Sequence, residues 1–294
     1  MRIAMIGDSD AGKTTYMAMM FEAMVKGYKG FQLETSDAQH GVDLLVEARG
    51  IHKGAYPPPS SQRKQFEFRL AHKKKYFFDF TWSDYRGGAL TERATGADSE
   101  EVHRELLDAD GIVVFADAPR FAREPAAARL ARRLTVVTQR AIGERGRPIP
   151  VVIAYTKADL VGARSDWDLA VKPFAALQSA MDQSPNVQGV TVRISCGRKS
   201  KNVHIPVLWC LSHHIIARVD ELQSDYEYHK RLQAAAQAGA TTWNSLKSWW
   251  NNETSEAQRA RERGAQAARV YQQMLPLREP ARDLARLVRR NLAQ

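Results

Sequence analysis

The feature that most constrains the fold is a glycine-framed loop close to the start of the chain. Residues 7–15 read GDSDAGKTT, which fits the pattern G-x-x-x-x-G-K-[ST]. In this pattern the glycines let backbone N–H groups turn toward a phosphate, and the lysine reaches the β- and γ-phosphates. A short apolar strand segment precedes the loop at residues 2–6, and a Met- and Ala-rich helical segment follows it. This context predicts a nucleoside triphosphate site at the N-terminus of a helix.

The candidate phosphate-binding residues form one continuous run. Lys13 is also a candidate catalytic residue, because its charge lies where negative charge develops on the phosphates. Thr14 is a candidate Mg²⁺ ligand through its hydroxyl. The full run is Gly7, Asp8, Ser9, Asp10, Ala11, Gly12, Lys13, Thr14 and Thr15.

Beyond this loop, apolar strand segments alternate with helical segments up to about residue 220, which is typical of an α/β sheet. Residues 65–70 and 76–82 are strand segments joined by a short basic turn, so they are predicted to form an antiparallel hairpin. Residues 150–155 are continuously apolar, as expected of a central parallel strand. Residues 34–64 show no such pattern and are predicted to be irregular.

The composition changes after about residue 221, where Gln, Ala, Arg and Glu dominate and no strand pattern remains. We therefore expect a nucleotide-binding domain in residues 1–224 and a helical extension in residues 225–294. Gly239, Asn251 and Pro276 are expected to separate helices within the extension. Its tryptophans fit either an anchor for a partner or packing onto the domain itself: Trp243, Trp249 and Trp250.

The overall composition excludes some classes of protein. Two cysteines give no disulfide framework and fit a reducing cytosol, and no segment approaches twenty apolar residues. The chain begins directly with its first strand and leaves no room for a signal peptide, so a cytoplasmic location is expected. The net charge of +10 permits an anionic membrane or a nucleic acid as a partner, but no motif supports either.

A second motif, Thr156-Lys157-Ala158-Asp159, closes the apolar strand segment at 150–155. Ligands of open α/β sheets bind at this carboxyl edge. A carboxylate has two acceptor oxygens, so Asp159 can accept the N1–H and the N2–H₂ of guanine together, and adenine has no such pair of donors. The lysine stem can cover the base, and the threonine can tether the phosphate loop. The motif predicts guanine specificity, whereas an ordinary charged surface loop is the alternative.

A weaker signal lies at Ser195-Cys196-Gly197, directly after the predicted strand at 190–194. Small residues at this edge allow a backbone N–H to approach the O6 atom of guanine. An ordinary turn after a strand is the alternative. The order and spacing along the chain agree with a base-contacting loop, so Ser195 and Cys196 are candidate base contacts.

Two D-x-x-G segments differ in where they fall. The segment DYRG at residues 84–87 follows the apolar strand at 76–82, so Asp84 can bind Mg²⁺ through a water. The Gly87 N–H can then face the γ-phosphate as a candidate catalytic group. The other segment starts at Asp108, ends a helix and is predicted to be a turn. Asp79, inside the strand, is a rival metal carboxylate.

These motifs in this order, GDSDAGKT, DYRG, TKAD and SCG, resemble the translation-factor-like class of P-loop GTPases, which includes the Ras-like small GTPases. The resemblance covers about residues 1–220. The GKTTYMAMM segment, the proline-rich loop and DYRGG look like the bacterial double-GTPase or conflict-system GTPases. The resemblance implies a mostly parallel sheet with helices on both faces, a helical C-terminal appendage outside it, and bound GTP or GDP with Mg²⁺. It assigns the phosphates and Mg²⁺ to the first motif, the second switch to Asp84 and Gly87, and the base to Thr156, Lys157, Asp159, Ser195 and Cys196.

Two departures from this class bear on catalysis. Gly88 stands where Ras-like enzymes carry a glutamine that orients the attacking water, which predicts slow hydrolysis or another group that positions the water. Arg86 is a candidate internal charge stabiliser, with a plain surface arginine as the alternative.

The threonine of the first switch, which closes on Mg²⁺, has no clear match. Ser60 or Ser61 is the best candidate for that ligand, and Thr35 is second.

The motifs together predict a GTP-binding switch that hydrolyses GTP slowly and signals to a protein effector or regulator. GTP with Mg²⁺ would order the loops near 50–61 and 84–98, and hydrolysis would release them. An ATPase or kinase on the same loop is the rival enzyme, and it is distinguished by whether Asp159 selects guanine. A nucleotide-loaded scaffold without turnover is the rival that is not an enzyme, and Gly88 supports it.

Overall fold

The computed structural model of the chain describes residues 1–58, 64–84, 96–239 and 256–292. Within these residues one sheet contains the strands β1 (Arg2–Gly7), β2 (Phe31–Thr35), β3 (Lys64–His72), β4 (Lys75–Asp84), β5 (Gly111–Asp117), β6 (Ile149–Thr156) and β7 (Val187–Arg193). The helices of the same residues are α1 (Lys13–Val25), α2 (Ala38–His52), α3 (Gly96–Asp108), α4 (Ala118–Arg123), α5 (Ala128–Gly143), α6 (Arg164–Val171), α7 (Ala175–Gln183), α8 (Ile205–Gly239) and α9 (Glu256–Leu292).

The sheet is mixed but mostly parallel, with the order β2-β3-β4-β1-β5-β6-β7. Strands β4, β1, β5, β6 and β7 run parallel to one another, whereas β3 pairs antiparallel with both β2 and β4. The predicted β3–β4 hairpin is therefore confirmed. β5 and β6 are buried along their whole length, as expected of central parallel strands. The predicted mostly parallel α/β fold is confirmed.

Helices cover both faces of the sheet because successive strand residues point to opposite sides. On one face, apolar residues of β1, β5 and β6 form a buried cluster with residues of α3, α5, α6 and α7. On the other face, the ring of Tyr16 in α1 lies 5.0 Å from that of Phe115 in β5. The thiol of Cys210 in α8 lies 3.1 Å from the point where a Cβ on Gly111 would stand. The sheet therefore lies between two helical layers.

The prediction that residues 34–64 are irregular is wrong for much of that segment. β2 forms the edge of the sheet, and α2 follows it after a tight turn. The side chain of Asp37 accepts a hydrogen bond from the Gln39 backbone N–H at 2.8 Å, which caps the first turn of α2. The helix buries residues at helical spacing: Leu44, Ala48 and Ile51. A capped amphipathic helix therefore replaces most of the expected loop.

Prolines act differently in two helical segments. A 3₁₀ turn, Lys172–Phe174, separates α6 from α7, because Pro173 lacks the N–H that a continuing helix requires. Pro276 was expected to separate helices, and that prediction is wrong, since α9 runs through both Pro276 and Pro280. The buried stripe of α9 continues across the two prolines and holds the segment helical: Met274, Leu277, Ala281 and Leu284.

The structure divides into two compact units, Met1–His214 with the residues from Arg290 onward, and Ile215–Arg289. In the second unit, the rings of Tyr226 and Tyr271 lie 5.4 Å apart. A Cβ on Gly264 would lie 2.7 Å from Nε2 of Gln233, so α8 and α9 run antiparallel as a helical hairpin. This hairpin is the predicted helical appendage, while the domain boundary at residue 224 stays a prediction. Among the described helices, none combines the length and the apolar composition that crossing a bilayer requires.

Candidate functional site

The phosphate-loop motif lies at the carboxyl end of β1, directly before α1. β1 ends at Gly7, and Gly12 occupies the cap position of α1 in the left-handed region, with φ of 80°. Glycine adopts this conformation without strain. Gly12 provides no side-chain cap for the first N–H groups of α1, and the positive end of the helix dipole lies at the loop. This arrangement is suited to an anion.

Lys13 is buried, with 6% of its surface exposed. Its ammonium donates to the Gly7 carbonyl at 3.1 Å and to the Asp8 carbonyl at 2.8 Å. These two bonds fold the side chain back over the loop and hold its charge beside the loop backbone. The loop therefore combines backbone donors, a helix N-terminus and one fixed cation at the same place.

Replacement of Gly7 by alanine is expected to lower the free energy of unfolding by about 1–3 kcal/mol, the usual cost of overpacking. An added Cβ would stand 2.8 Å from the Phe115 carbonyl oxygen and 2.9 Å from its Cβ, at a backbone φ of 155°. Chemical denaturation measures the change. Gly143→Ala is the matched control, because no atom lies within 4 Å of its added Cβ. Equal stability of the two variants would contradict the close approach of β1 to β5.

The guanine motif lies at the carboxyl end of β6, two strands from the phosphate loop. The methyl-bearing side chain of Thr156 packs against the loop, with its Cβ 3.8 Å from the position of a Cβ on Gly12. Its hydroxyl donates to the Ala116 carbonyl at 3.2 Å and so ties β6 to β5. Lys157 has a left-handed backbone with φ of 54°, and Asp159 follows it in a 3₁₀ turn with an exposed side chain. This turn brings the carboxylate to the sheet edge.

The structure brings the Ser195-Cys196-Gly197 segment next to Asp159. The Ala158 N–H donates to the Ile194 carbonyl at 3.1 Å, which joins the two loops. A Cβ on Gly197 would lie 3.5 Å from Oδ2 of Asp159. Burial, reinforced by the Asp159 carboxylate, raises the pKa of the Cys196 thiol to about 12, so this thiol stays protonated at neutral pH. Because the thiolate is the nucleophilic form of cysteine, Cys196 is not expected to act as a nucleophile.

A cavity of about 1120 Å³ opens beside these two loops. Asp159 and Ser195 line it, together with Tyr28, whose ring lies 3.8 Å from that of His204. Tyr28 was not singled out from the sequence. The only signal for it was an aromatic residue in the turn after α1. Aromatic faces stack on planar bases, so Tyr28 is a candidate base contact that the sequence analysis missed.

The candidate metal ligands lie in different parts of the fold. Thr14 lies in the first turn of α1, and Asp84 is the last residue of β4, where its backbone pairs with Met5 of β1. Asp79, the rival carboxylate, is exposed in the middle of β4 opposite Arg69. Thr35 lies in the edge strand β2, which is separated from β1 by β3 and β4, and its hydroxyl lies against Gly41 of α2. Four further candidates lie outside the described residues: Ser60, Ser61, Arg86 and Gly87.

The second D-x-x-G segment lies at the amino ends of the parallel strands, opposite to the phosphate loop. Asp108 ends α3, and the Asp110 carboxylate accepts from the Arg2 backbone N–H at 2.9 Å, at the amino end of β1. Arg147 forms an ion pair with the same carboxylate at 2.9 Å. The segment is the predicted turn, and its carboxylates serve the strand starts rather than the phosphate loop.

Comparison with known proteins identifies a family and two solved structures to which the chain is similar. The model of the family Double-GTPase 2 (DO-GTPase2) matches residues 1–206, which is more than half of the chain. Among solved structures, a probable GTP-binding protein engB is 14% identical, with 74% of this chain and 97% of that chain covered and a TM-score of 0.36. The signal recognition particle receptor SRb-GTP/SRX complex from Chaetomium thermophilum is 14% identical, with 72% and 98% covered and a TM-score of 0.42. No curated protein matches the chain.

Proposed function

We propose that this chain, which belongs to the Double-GTPase 2 family, binds GTP and GDP with Mg²⁺ and hydrolyses GTP slowly as a molecular switch. The observation that carries the proposal is the Lys13 ammonium, which is held on the Gly7 and Asp8 carbonyls at the N-terminus of α1. A cation and helix N–H groups in one loop are complementary to the β- and γ-phosphates. Membership in a GTPase family supports the same chemistry.

The base is proposed to lie between the two loops at the ends of β6 and β7. Asp159 would accept the two guanine donors, while the Lys157 stem and Tyr28 would cover the base. The adjacency of Asp159 and Gly197 supports this role, because it leaves a small residue next to the specificity carboxylate. Ser195 lines the same cavity and would contact the base edge through its backbone.

The donor set near β1 fits Mg²⁺, a hard cation that prefers oxygen ligands. Thr14 would supply a hydroxyl, and Asp84 would supply a carboxylate through water. Mg²⁺, when bound, neutralises charge on the β- and γ-phosphate oxygens. Lys13 and the α1 N-terminus would orient the phosphates, and the Gly87 N–H would bond a γ-phosphate oxygen.

The test of this function compares nucleotides on the purified chain by isothermal titration calorimetry. We expect GTP and GDP to bind in the presence of Mg²⁺. ATP is expected to bind at least a hundredfold more weakly, because adenine would leave the Asp159 carboxylate without its hydrogen-bond donors. Chelation of Mg²⁺ is expected to weaken GTP more than GDP. Equal affinity for ATP and GTP would favour the ATPase alternative and contradict the proposal.

Turnover without a partner is expected to be slow, on the order of 10⁻⁴ to 10⁻³ per second, the range of unstimulated small GTPases. Orienting the attacking water needs a side chain with a carbonyl or carboxylate, and Gly88 has neither. Single-turnover hydrolysis with the purified chain measures the rate. A rate near one per second would show that another residue positions the water, and no hydrolysis at all would favour a nucleotide-loaded scaffold.

The switch part of the proposal requires a protein effector or regulator that reads the nucleotide state. Arg86 and the segment after Asp84 would change with the γ-phosphate, because they follow directly on the candidate metal ligand. A cytoplasmic location is supported by the two cysteines, both of which are free thiols, one buried and one half-buried.

A further inference from the structure

The phosphate loop of this chain carries two acidic residues at a place that is proposed to accept a highly negative ligand. Asp8 and Asp10 both lie between the loop glycines. Their charges would oppose a polyphosphate unless cations balance them, because two like charges a few ångströms apart repel strongly. The structure supplies a separate basic partner for each.

Arg120, in α4, forms an ion pair with Asp8 through Nη1 and Oδ2. The other oxygen of Asp8 accepts from the Ser9 backbone N–H at 2.8 Å, so the carboxylate is fixed at both ends. The Arg120 Nε donates to Glu124 at 3.1 Å, which orients the guanidinium. Partial burial lowers the pKa of Arg120, but Asp8 and Glu124 outweigh this effect and raise it. The arginine therefore stays charged beside the loop.

The Lys157 ammonium forms an ion pair with the Asp10 carboxylate at 3.2 Å and a second one with the Asp117 carboxylate at 2.7 Å. Asp117, the last residue of β5, is 7% exposed, and its other oxygen accepts from the Arg120 backbone N–H at 3.1 Å. The two loop acids are thus connected through one buried carboxylate. The network joins the carboxyl ends of β1, β5 and β6.

We propose that Arg120 is a positioning residue for the nucleotide: it holds the Asp8 carboxylate so that the phosphate loop presents N–H donors and Lys13 to the phosphates. This inference rests on the proposed nucleotide-binding function. Without Arg120, the Asp8 charge would be unbalanced next to the phosphate site. The loss of affinity on removing Arg120 is larger for GTP than for GDP, because GTP carries one more negative charge.

The test is a double-mutant cycle on the full chain, with GTP and GDP affinities measured by calorimetry. We expect Arg120→Gln to lower the affinity for GTP on the order of tenfold and the affinity for GDP by less. The loss of affinity is expected to shrink as the salt concentration is raised. In the Asp8→Asn background, Arg120→Gln is expected to have no effect on affinity. Arg120→Lys is expected to retain most of the binding, since the charge is kept.

Arg132→Gln is the matched control, because it removes the same charge from an exposed position on α5 and is expected to leave affinity unchanged. A parent chain that binds no GTP would overturn the proposed function, and this inference with it. A parent chain that binds GTP while Arg120→Gln binds it equally well would overturn only the role of Arg120. A loss that persists in the Asp8→Asn background would show a structural role for Arg120 and also overturn the inference.

Discussion

Asp159→Asn is expected to weaken GTP binding by about 3 kcal/mol and to create affinity for xanthosine triphosphate. The carboxylate accepts hydrogen bonds from two donors of guanine. An amide in its place leaves one guanine N–H facing another donor. The cost is at least the free energy of the lost hydrogen bond to a charged acceptor. Xanthine carries a carbonyl where guanine carries its amino group, so the asparagine N–H₂ has a partner there. Competition titration with GTP and xanthosine triphosphate measures both changes.

The geometry makes this experiment selective for the base. Asp159 is exposed in its 3₁₀ turn, so the change to asparagine removes no buried contact and is not expected to unfold the chain. Asp182→Asn is the control, because it makes the same substitution at an exposed position in α7. Unchanged preference for GTP in Asp159→Asn would show that this carboxylate does not read the base, and the guanine assignment would be wrong.

The sequence predicted those parts of the fold that depend on local pattern. A continuously apolar segment predicted β6, and a short basic turn between alternating segments predicted the β3–β4 hairpin, because both signals lie within a few residues. The phosphate loop was predicted for the same reason, since its glycines, lysine and threonine are consecutive. The order of the motifs also predicted the GTPase family, which the family match confirms.

The parts that were missed depend on weak local signals or on contacts between distant residues. α2 contains Gly41 and Gly50, which lower helix propensity, and its buried face holds only small or medium side chains. The ion pair of Asp8 with Arg120 joins residues 112 positions apart, so no pattern in the sequence predicts it. Tyr28 falls in the same class, because its ring contacts that of His204, a residue far away along the chain. The role of each residue at the site stays a prediction.

Lys13→Ala is expected to weaken both GTP and GDP by about 2 kcal/mol or more, because it removes a charge-assisted contact to the phosphates. The Lys13 side chain is folded onto the loop, with its ammonium on the Gly7 and Asp8 carbonyls, so little further ordering of the side chain opposes a contact with the phosphates. Calorimetry measures the affinities, and thermal unfolding of the same samples separates lost binding from lost stability.

Lys26→Ala is the matched control for this change. Lys26 stands at the opposite end of α1, where its side chain is 71% exposed and pairs with Glu22 at 2.9 Å. It has the same charge and length as Lys13 but lies a whole helix away from the loop, so we expect its removal to leave nucleotide affinity unchanged. If Lys13→Ala bound GTP as tightly as Lys26→Ala, the loop would not be a phosphate site, because its one buried cation would then contribute nothing to an anionic ligand.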